Sequence, residues 1–240
     1  MKILSIGNSF SQDATRYLHE IAKNNGVELK TVNLYIGGCT LATHYKHMNN
    51  DAKAYLMEFN GANTGFFVSI REALQSDEWD FVTLQQASHK SVDYDTYQPY
   101  INELAAYCRK HSPKAKLLIH QTWAYEDGSS RLIDIANYPS RKDMFLDISK
   151  AYKKAASDID AYGIIPSGKL LENLTANGVE KVHRDTFHAS LGLGRYALGL
   201  LWYGFLTGAD VSNDTFCNFD EEISEKELDI VRNTVSEMLK

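Results

Sequence analysis

Residues 1–11, MKILSIGNSFS, carry the reading on which the rest of the chain depends. Met1, Ile3, Leu4 and Ile6 make a short apolar run, the mark of a parallel strand buried on both faces. Gly7 at its end lets the backbone turn sharply. The next periodic segment, residues 13–25, reads as a helix. Ser9 thereby falls at a strand-to-helix switch, at the carboxyl end of the first strand, where open α/β sheets hold their ligands. A serine at such a point has a fixed backbone and an accessible hydroxyl. Ser9 and Ser11 also suit plain helix N-caps, and taken alone these eleven residues favour that simpler role.

Working outward, apolar and β-branched runs recur at 28–35, 79–85 (WDFVTLQ), 116–121 (KLLIHQ) and 164–166. Helical patterns occupy 96–111, 141–160, 191–206 and 225–239. This alternation predicts the α/β class, a three-layer α/β/α sandwich around a flavodoxin-like, mainly parallel five-stranded sheet. A chain of 240 residues without repeats, low-complexity tracts or Pro/Gly-rich linkers is expected to form one domain, 1–240. The stretch 41–80 is long for a connection. It holds a polar part (44–51), an aromatic part (Tyr55, Phe59, Phe66, Phe67) and an expected helix at 69–74.

Hydrophobic residues at 44% and charged residues at 23% are ordinary for a globular chain. A net charge of −6 offers no basic footprint for nucleic acid and no attraction to an anionic membrane. Cys39, Cys108 and Cys217 are odd in number and far apart, forming neither a disulfide framework nor a metal-ligand spacing. No run reaches the roughly 18 apolar residues of a membrane span. A cytoplasmic location is expected, or export if a signal segment has been removed ahead of Met1.

Three further segments fall where strands end or a helix begins. Ile36-Gly37-Gly38-Cys39 follows the second strand, Gln85-Gln86-Ala87-Ser88-His89 the third, and Arg184-Asp185-Thr186-Phe187-His188 precedes the long apolar helix. Their chemistry is complementary to Ser9. A serine hydroxyl needs a base within hydrogen-bond reach. His188 can be that base, and Asp185, three residues earlier, can orient the imidazole and stabilise its cation. The backbone N–H groups of Ser9 and Gly38 and the amide of Gln86 are candidate oxyanion donors. Each piece also has a plainer role: a turn at Gly37-Gly38, loop carbonyls satisfied by Gln85-Gln86, and a helix cap at Asp185.

Taken together, the segments resemble the SGNH/GDSL hydrolase superfamily from end to end. The nucleophile block of that family, Gly-Asp-Ser, is matched by Gly7-Asn8-Ser9, its oxyanion glycine by Gly37-Gly38, and its final Asp-x-x-His by Asp185–His188. The chain departs from the pattern twice. Asn8 stands for the aspartate, and LQQASHKS replaces the expected Gly-x-Asn-Asp block, so that Gln86, or else Gln85 or Ser88, would supply the missing donor. The combination of GNSFS, LQQ and a later TWAY resembles a branch closer to carbohydrate esterases than to lipases. The resemblance implies a serine esterase with catalytic Ser9, Asp185 and His188, an oxyanion hole of Ser9, Gly38 and Gln86, and no cofactor or metal.

Aromatic residues with polar tips after the strands suit sugar rings. Trp123, Tyr125 and His44 are therefore expected to bind substrate, and Tyr94, Tyr97, Tyr100, Tyr45 and His47 are near enough in sequence to join them. The expected substrate is a small-molecule or glycan ester, most simply an O-acetylated sugar. The rival readings are a catalytically silent carbohydrate-binding module, a lipase- or thioesterase-type acyl hydrolase, and a metal hydrolase built on His44, His47, His183, Asp185 and His188. A phosphate-binding flavodoxin-like protein is disfavoured, because one glycine after the first strand makes no phosphate loop.

Overall fold

The computed structural model describes residues 1–240. Seven strands form one sheet: β1 (Lys2–Gly7), β2 (Lys30–Tyr35), β3 (Tyr55–Phe59), β4 (Ala62–Val68), β5 (Phe81–Leu84), β6 (Lys116–His120) and β7 (Gly163–Ile165). Their order is β4-β3-β2-β1-β5-β6-β7. Strands β2, β1, β5, β6 and β7 pair in parallel, and these are the five strands expected from the alternation. The chain winds from β1 outward to β2, then back across β1 to β5. Strand β1 therefore lies at the topological switch point, with a crevice at its carboxyl end.

The expected five-stranded sheet is corrected to seven. Strands β3 and β4 make an antiparallel hairpin that extends the β2 edge. Its two-residue turn is Asn60-Gly61, with φ of 50° and 79°. That is the backbone a tight hairpin turn demands and the reason Asn-Gly favours it. The polar stretch after Gly38 also differs from expectation: it folds as helix α3 (Leu41–Asn49), whose N-cap Thr40 accepts a hydrogen bond from the Thr43 N–H.

The expected helix over 13–25 is two short ones, α1 (Ser9–Thr15) and α2 (Leu18–Asn24). Two contacts break it. Thr15 donates its hydroxyl back to the Ser11 carbonyl at 2.8 Å, which bends a helix. The hairpin turn closes onto the Arg16 carbonyl so tightly that a Cβ at Gly61 would lie 2.1 Å from its oxygen. The remaining helices are α4 (Ile70–Gln75), α5 (Tyr100–His111), α6 (Arg141–Asp158), α7 (Ser167–Ala176), α8 (Leu193–Thr207) and α9 (Glu225–Leu239). Of these, α7 was not expected from the sequence.

Alternation along β1 assigns the two faces. Ile3 packs with α1, α2, α7, α8 and α9, whereas Leu4 and Ile6 pack with α3, α4, α5 and α6. The three-layer reading thus holds, with an apolar core on each side of the sheet. Helix α8 is apolar nearly all round and sits inside its layer, covered by α1 and α2 on one side and α9 on another. No helix is long and apolar enough to cross a membrane.

Candidate active site

At the end of β1, Asn8 takes the N-cap position of α1 and accepts a hydrogen bond from the Phe10 N–H at 3.0 Å. Ser11 closes the capping box by accepting from the Asn8 N–H, also at 3.0 Å. Ser9 is the first helical residue, and a helix leaves the N–H of that residue without an internal partner. So Ser11 and Asn8 do the capping, which frees the Ser9 side chain for other work.

The Ser9 hydroxyl lies 2.8 Å from His188 Nε2, and His188 Nδ1 lies 2.8 Å from Asp185 Oδ2. Asp185 Oδ1 also accepts from the His188 backbone N–H at 2.9 Å, so one carboxylate fixes both the ring and the turn that carries it. Ser9 and His188 are 179 residues apart in the chain. In the neutral imidazole, Nδ1–H donates to Asp185 and Nε2 accepts from Ser9. Burial raises the Asp185 carboxyl, but the hydrogen bonds from the His188 ring and N–H outweigh it and hold the group below its ordinary value.

Other residues brace this line. Trp123 donates its indole N–H to the Phe187 carbonyl at 2.7 Å and stacks on Phe10 with ring centroids 4.2 Å apart. Buried Asp13 accepts from Arg184 Nη1 at 2.9 Å, from Arg195 Nε at 2.9 Å and from the Ala189 N–H at 3.2 Å. Helix α1, the 184–189 turn and α8 are therefore tied through one carboxylate. Neither Asp13 nor the two arginines was singled out from the sequence. The signal, an Asp four residues after the candidate nucleophile, is too common to stand out.

A pocket of about 430 Å³ opens over Ser9 and His188. Gly38 lines it with φ of 64°, a left-handed conformation that suits glycine. Tyr125 and Ser88 line it too, their hydroxyls 3.1 Å apart. A larger groove of about 660 Å³ between the C-terminal ends of α8 and α9 contains neither histidine nor cysteine.

Three expected site residues are placed elsewhere. Gln86 is corrected: its Oε1 accepts from the Leu41 and Ala87 N–H groups, and its Nε2 donates to Thr96, so the amide is consumed in holding loops together. Trp123 is wholly buried and supports the site from behind instead of touching substrate. His44 is likewise buried in α3, sharing a hydrogen bond with the Tyr55 hydroxyl at 2.9 Å; burial, then His47, lowers it to about 3. Tyr97 is buried and packs edge-on to Tyr152, while Tyr94 stacks on Tyr97 and Tyr45 packs on Tyr100, away from the pocket wall. His183 hydrogen-bonds the Ala124 carbonyl at 3.1 Å. No group of three or more His, Cys, Asp or Glu side chains is arranged to hold a metal ion.

Gln85, by contrast, reaches the Gly7-Asn8-Ser9 block. Its Nε2 donates to Asn8 Oδ1 at 2.7 Å, and its Oε1 lies 2.7 Å from His120 Nδ1. Asn8 Nδ2 in turn donates to the Cys39 carbonyl at 3.1 Å, joining the Ser9 turn to the Gly38 turn.

The family profile described as "Domain of unknown function (DUF4886)" matches residues 2–238. A DUF4886 family protein from Bacteroides uniformis superposes with a TM-score of 0.90 at 32% identity, covering 100% of this chain and 94% of that one. A candidate SGNH hydrolase from Slackia heliotrinireducens aligns at 25% identity with a TM-score of 0.61, over 86% of this chain and 98% of its own. An acetylxylan esterase from Geobacillus stearothermophilus shares the fold, with a TM-score of 0.54 at 14% identity over 82% and 90% of the two chains. No curated protein sequence matches. The profile match over residues 2–238 and the superpositions agree: the chain belongs to the DUF4886 family and has the SGNH/GDSL hydrolase fold.

Proposed function

We propose that this protein is a serine esterase that removes short acyl groups, chiefly O-acetyl groups, from carbohydrates. The observation that carries the reading is the unbroken hydrogen-bonded line Ser9–His188–Asp185, whose Ser9 and His188 line an open pocket. Ser9 Oγ attacks the ester carbonyl carbon while His188 Nε2 takes its proton. The alcohol leaves with that proton, and an acyl-enzyme remains on Ser9. Water then attacks the acyl carbon, giving its proton to His188. Ser9 is released with its hydroxyl restored and the carboxylic acid departs.

The oxyanion would be received by the backbone N–H groups of Ser9 and Gly38. With Gln86 consumed elsewhere, Ser88 and His89 are the side chains of the third block that lie on the pocket wall. A short acyl group is favoured because the wall alternates aromatic rings (Phe10, Tyr35, Tyr125, Phe187) with polar groups and contains no aliphatic side chain. Aromatic rings with polar tips suit a sugar; Tyr35 gives the wall a half-buried one, whereas Tyr125, the one expected sugar contact on the wall, is buried with its hydroxyl beside Ser88.

The test is hydrolysis of p-nitrophenyl acetate, butyrate and octanoate by the wild type and Ser9→Ala. Turnover should favour acetate and fall by about three or more orders of magnitude in kcat in the variant. Turnover that survives Ser9→Ala would remove the nucleophile and the reading with it.

A further inference from the structure

The chain is acidic overall, yet the wall of its pocket contains two arginines and neither aspartate nor glutamate. One of the two, Arg184, is neutralised by buried Asp13 at 2.9 Å. The other, Arg131, forms no ion pair. Its guanidinium lies over the Phe187 ring, 3.8 Å from the centroid, and 5.7 Å from the Tyr125 centroid. Phe187 in turn lies 3.8 Å from the His188 ring, centroid to centroid. A single aromatic ring thus separates the free cation from the base that would activate Ser9.

A guanidinium held over an aromatic face keeps most of its N–H donors free for a further partner, and here only the Tyr125 hydroxyl draws on them. A planar, always-charged fork held in this way matches a carboxylate in bidentate geometry. Arg131 starts a single π-helical turn, Arg131–Ile135, and its partial burial raises the strength of any pairing above that of a freely solvated side chain. Acidic residues elsewhere on the chain repel an anionic substrate, so an unpaired arginine in an acid-free wall acts as a local attractor.

Resting on the esterase reading, we propose that Arg131 binds a carboxylate on the substrate, so that the preferred esters are acylated acidic sugars rather than neutral ones. The carboxylate belongs either to the sugar, as in a uronic acid, or to the acyl group, as in a hemisuccinate. The two sources share one chemistry at Arg131 and are separated by the choice of substrate.

Acetate release from mono-O-acetylated methyl glucuronide and methyl glucoside, and nitrophenol release from p-nitrophenyl hemisuccinate and acetate, give two anionic-to-neutral ratios of kcat/KM. A uronic acid preference of about tenfold in the first ratio, falling to within about twofold in Arg131→Gln, supports the proposal with the charge on the sugar. The same pattern in the second ratio alone places the charge on the acyl group. Equal ratios in the wild type and Arg131→Gln overturn it. In case Arg131→Gln does not fold, the wild-type ratio is also measured from low to high salt, where loss of the preference is expected and a salt-independent ratio counts against it. Calorimetric binding of methyl glucuronide and methyl glucoside to Ser9→Ala supplies a readout without turnover. Tighter binding of the glucuronide there supports the carboxylate subsite even if the wild type turns over no ester, whereas robust turnover of neutral acetates with no anionic preference overturns the subsite and leaves the esterase reading standing.

Discussion

At the scale of single residues, Asn8 explains why the block that holds the candidate nucleophile is Gly-Asn-Ser. Its side chain must donate as well as accept: Nδ2 gives to the Cys39 carbonyl, while Oδ1 receives from Phe10 N–H and Gln85 Nε2. An aspartate at this buried position would turn a carboxylate oxygen toward a carbonyl oxygen. Asn8→Asp should therefore cost about 1–3 kcal/mol. At about 2–4 °C per kcal/mol for a chain of this size, the thermal midpoint would fall by several degrees, and kcat would fall more than KM rises as the Gly38 turn loosens. Differential scanning calorimetry beside steady-state kinetics checks both; an unchanged midpoint would show that Asn8 does not hold the two turns together. The amide was visible in the sequence, but its two-way hydrogen bonding was not, because Cys39 and Gln85 reach it from distant strand ends.

Among the elements, the 184–189 turn and helices α1 and α8 are coupled by Asp13. Its carboxylate is fully buried, and Arg184 and Arg195 are 23% and 13% exposed, so removing the charge leaves Arg184 without its ion-pair partner and Arg195 with Asp220 alone. Asp13→Asn is expected to lose about 3 kcal/mol, the lower end of what breaking a buried pair costs. It should also lower kcat, since the turn that presents His188 would lose its anchor on the helix that presents Ser9. Urea unfolding measures the first and ester turnover the second; retention of both would mean that the turn is held by Trp123 and the Glu126–Thr186 backbone bond alone. The hairpin β3–β4 belongs to this scale too. It delivers Glu58, which accepts from Asn33 Nδ2 at 2.7 Å, and Asn33 accepts from the Ser11 hydroxyl at 2.7 Å. Asn60-Gly61 between two aromatic-rich runs was a readable hairpin signal, masked by the polar residues that precede it and by the parallel pattern elsewhere.

For the whole molecule, acid stability follows from three histidines buried neutral. Burial pushes His120 and His44 down to about 3 and His183 to about 4, whereas in the unfolded chain each takes up a proton near the ordinary imidazole value of about 6.5. Between those values the unfolded state binds more protons than the native one, so stability is full above about pH 6.5 and is lost as the pH falls toward 4. The loss should correspond to as many as three protons taken up on unfolding, measured as the slope of unfolding free energy against pH. His120→Gln should reduce that slope by about one proton, and an unchanged slope would mean that His120 is not buried neutral. The strand-helix alternation, the five parallel strands and the Ser9, Asp185 and His188 trio were all set out by local pattern, because apolar periodicity and motif order are written along the chain. Which aromatic residues face the pocket was not. Trp123, Tyr125 and His44 are equivalent by type and all three are buried, and only the packing of β6 and α3 decides that Tyr125 reaches the wall while the other two stay behind it. The same holds for Gln85 and Gln86, adjacent and identical in chemistry. Successive residues leave a strand end in different directions, and the partners that claim each amide, Asn8 and His120 for one, Leu41 and Thr96 for the other, meet them only once the sheet and helices have assembled.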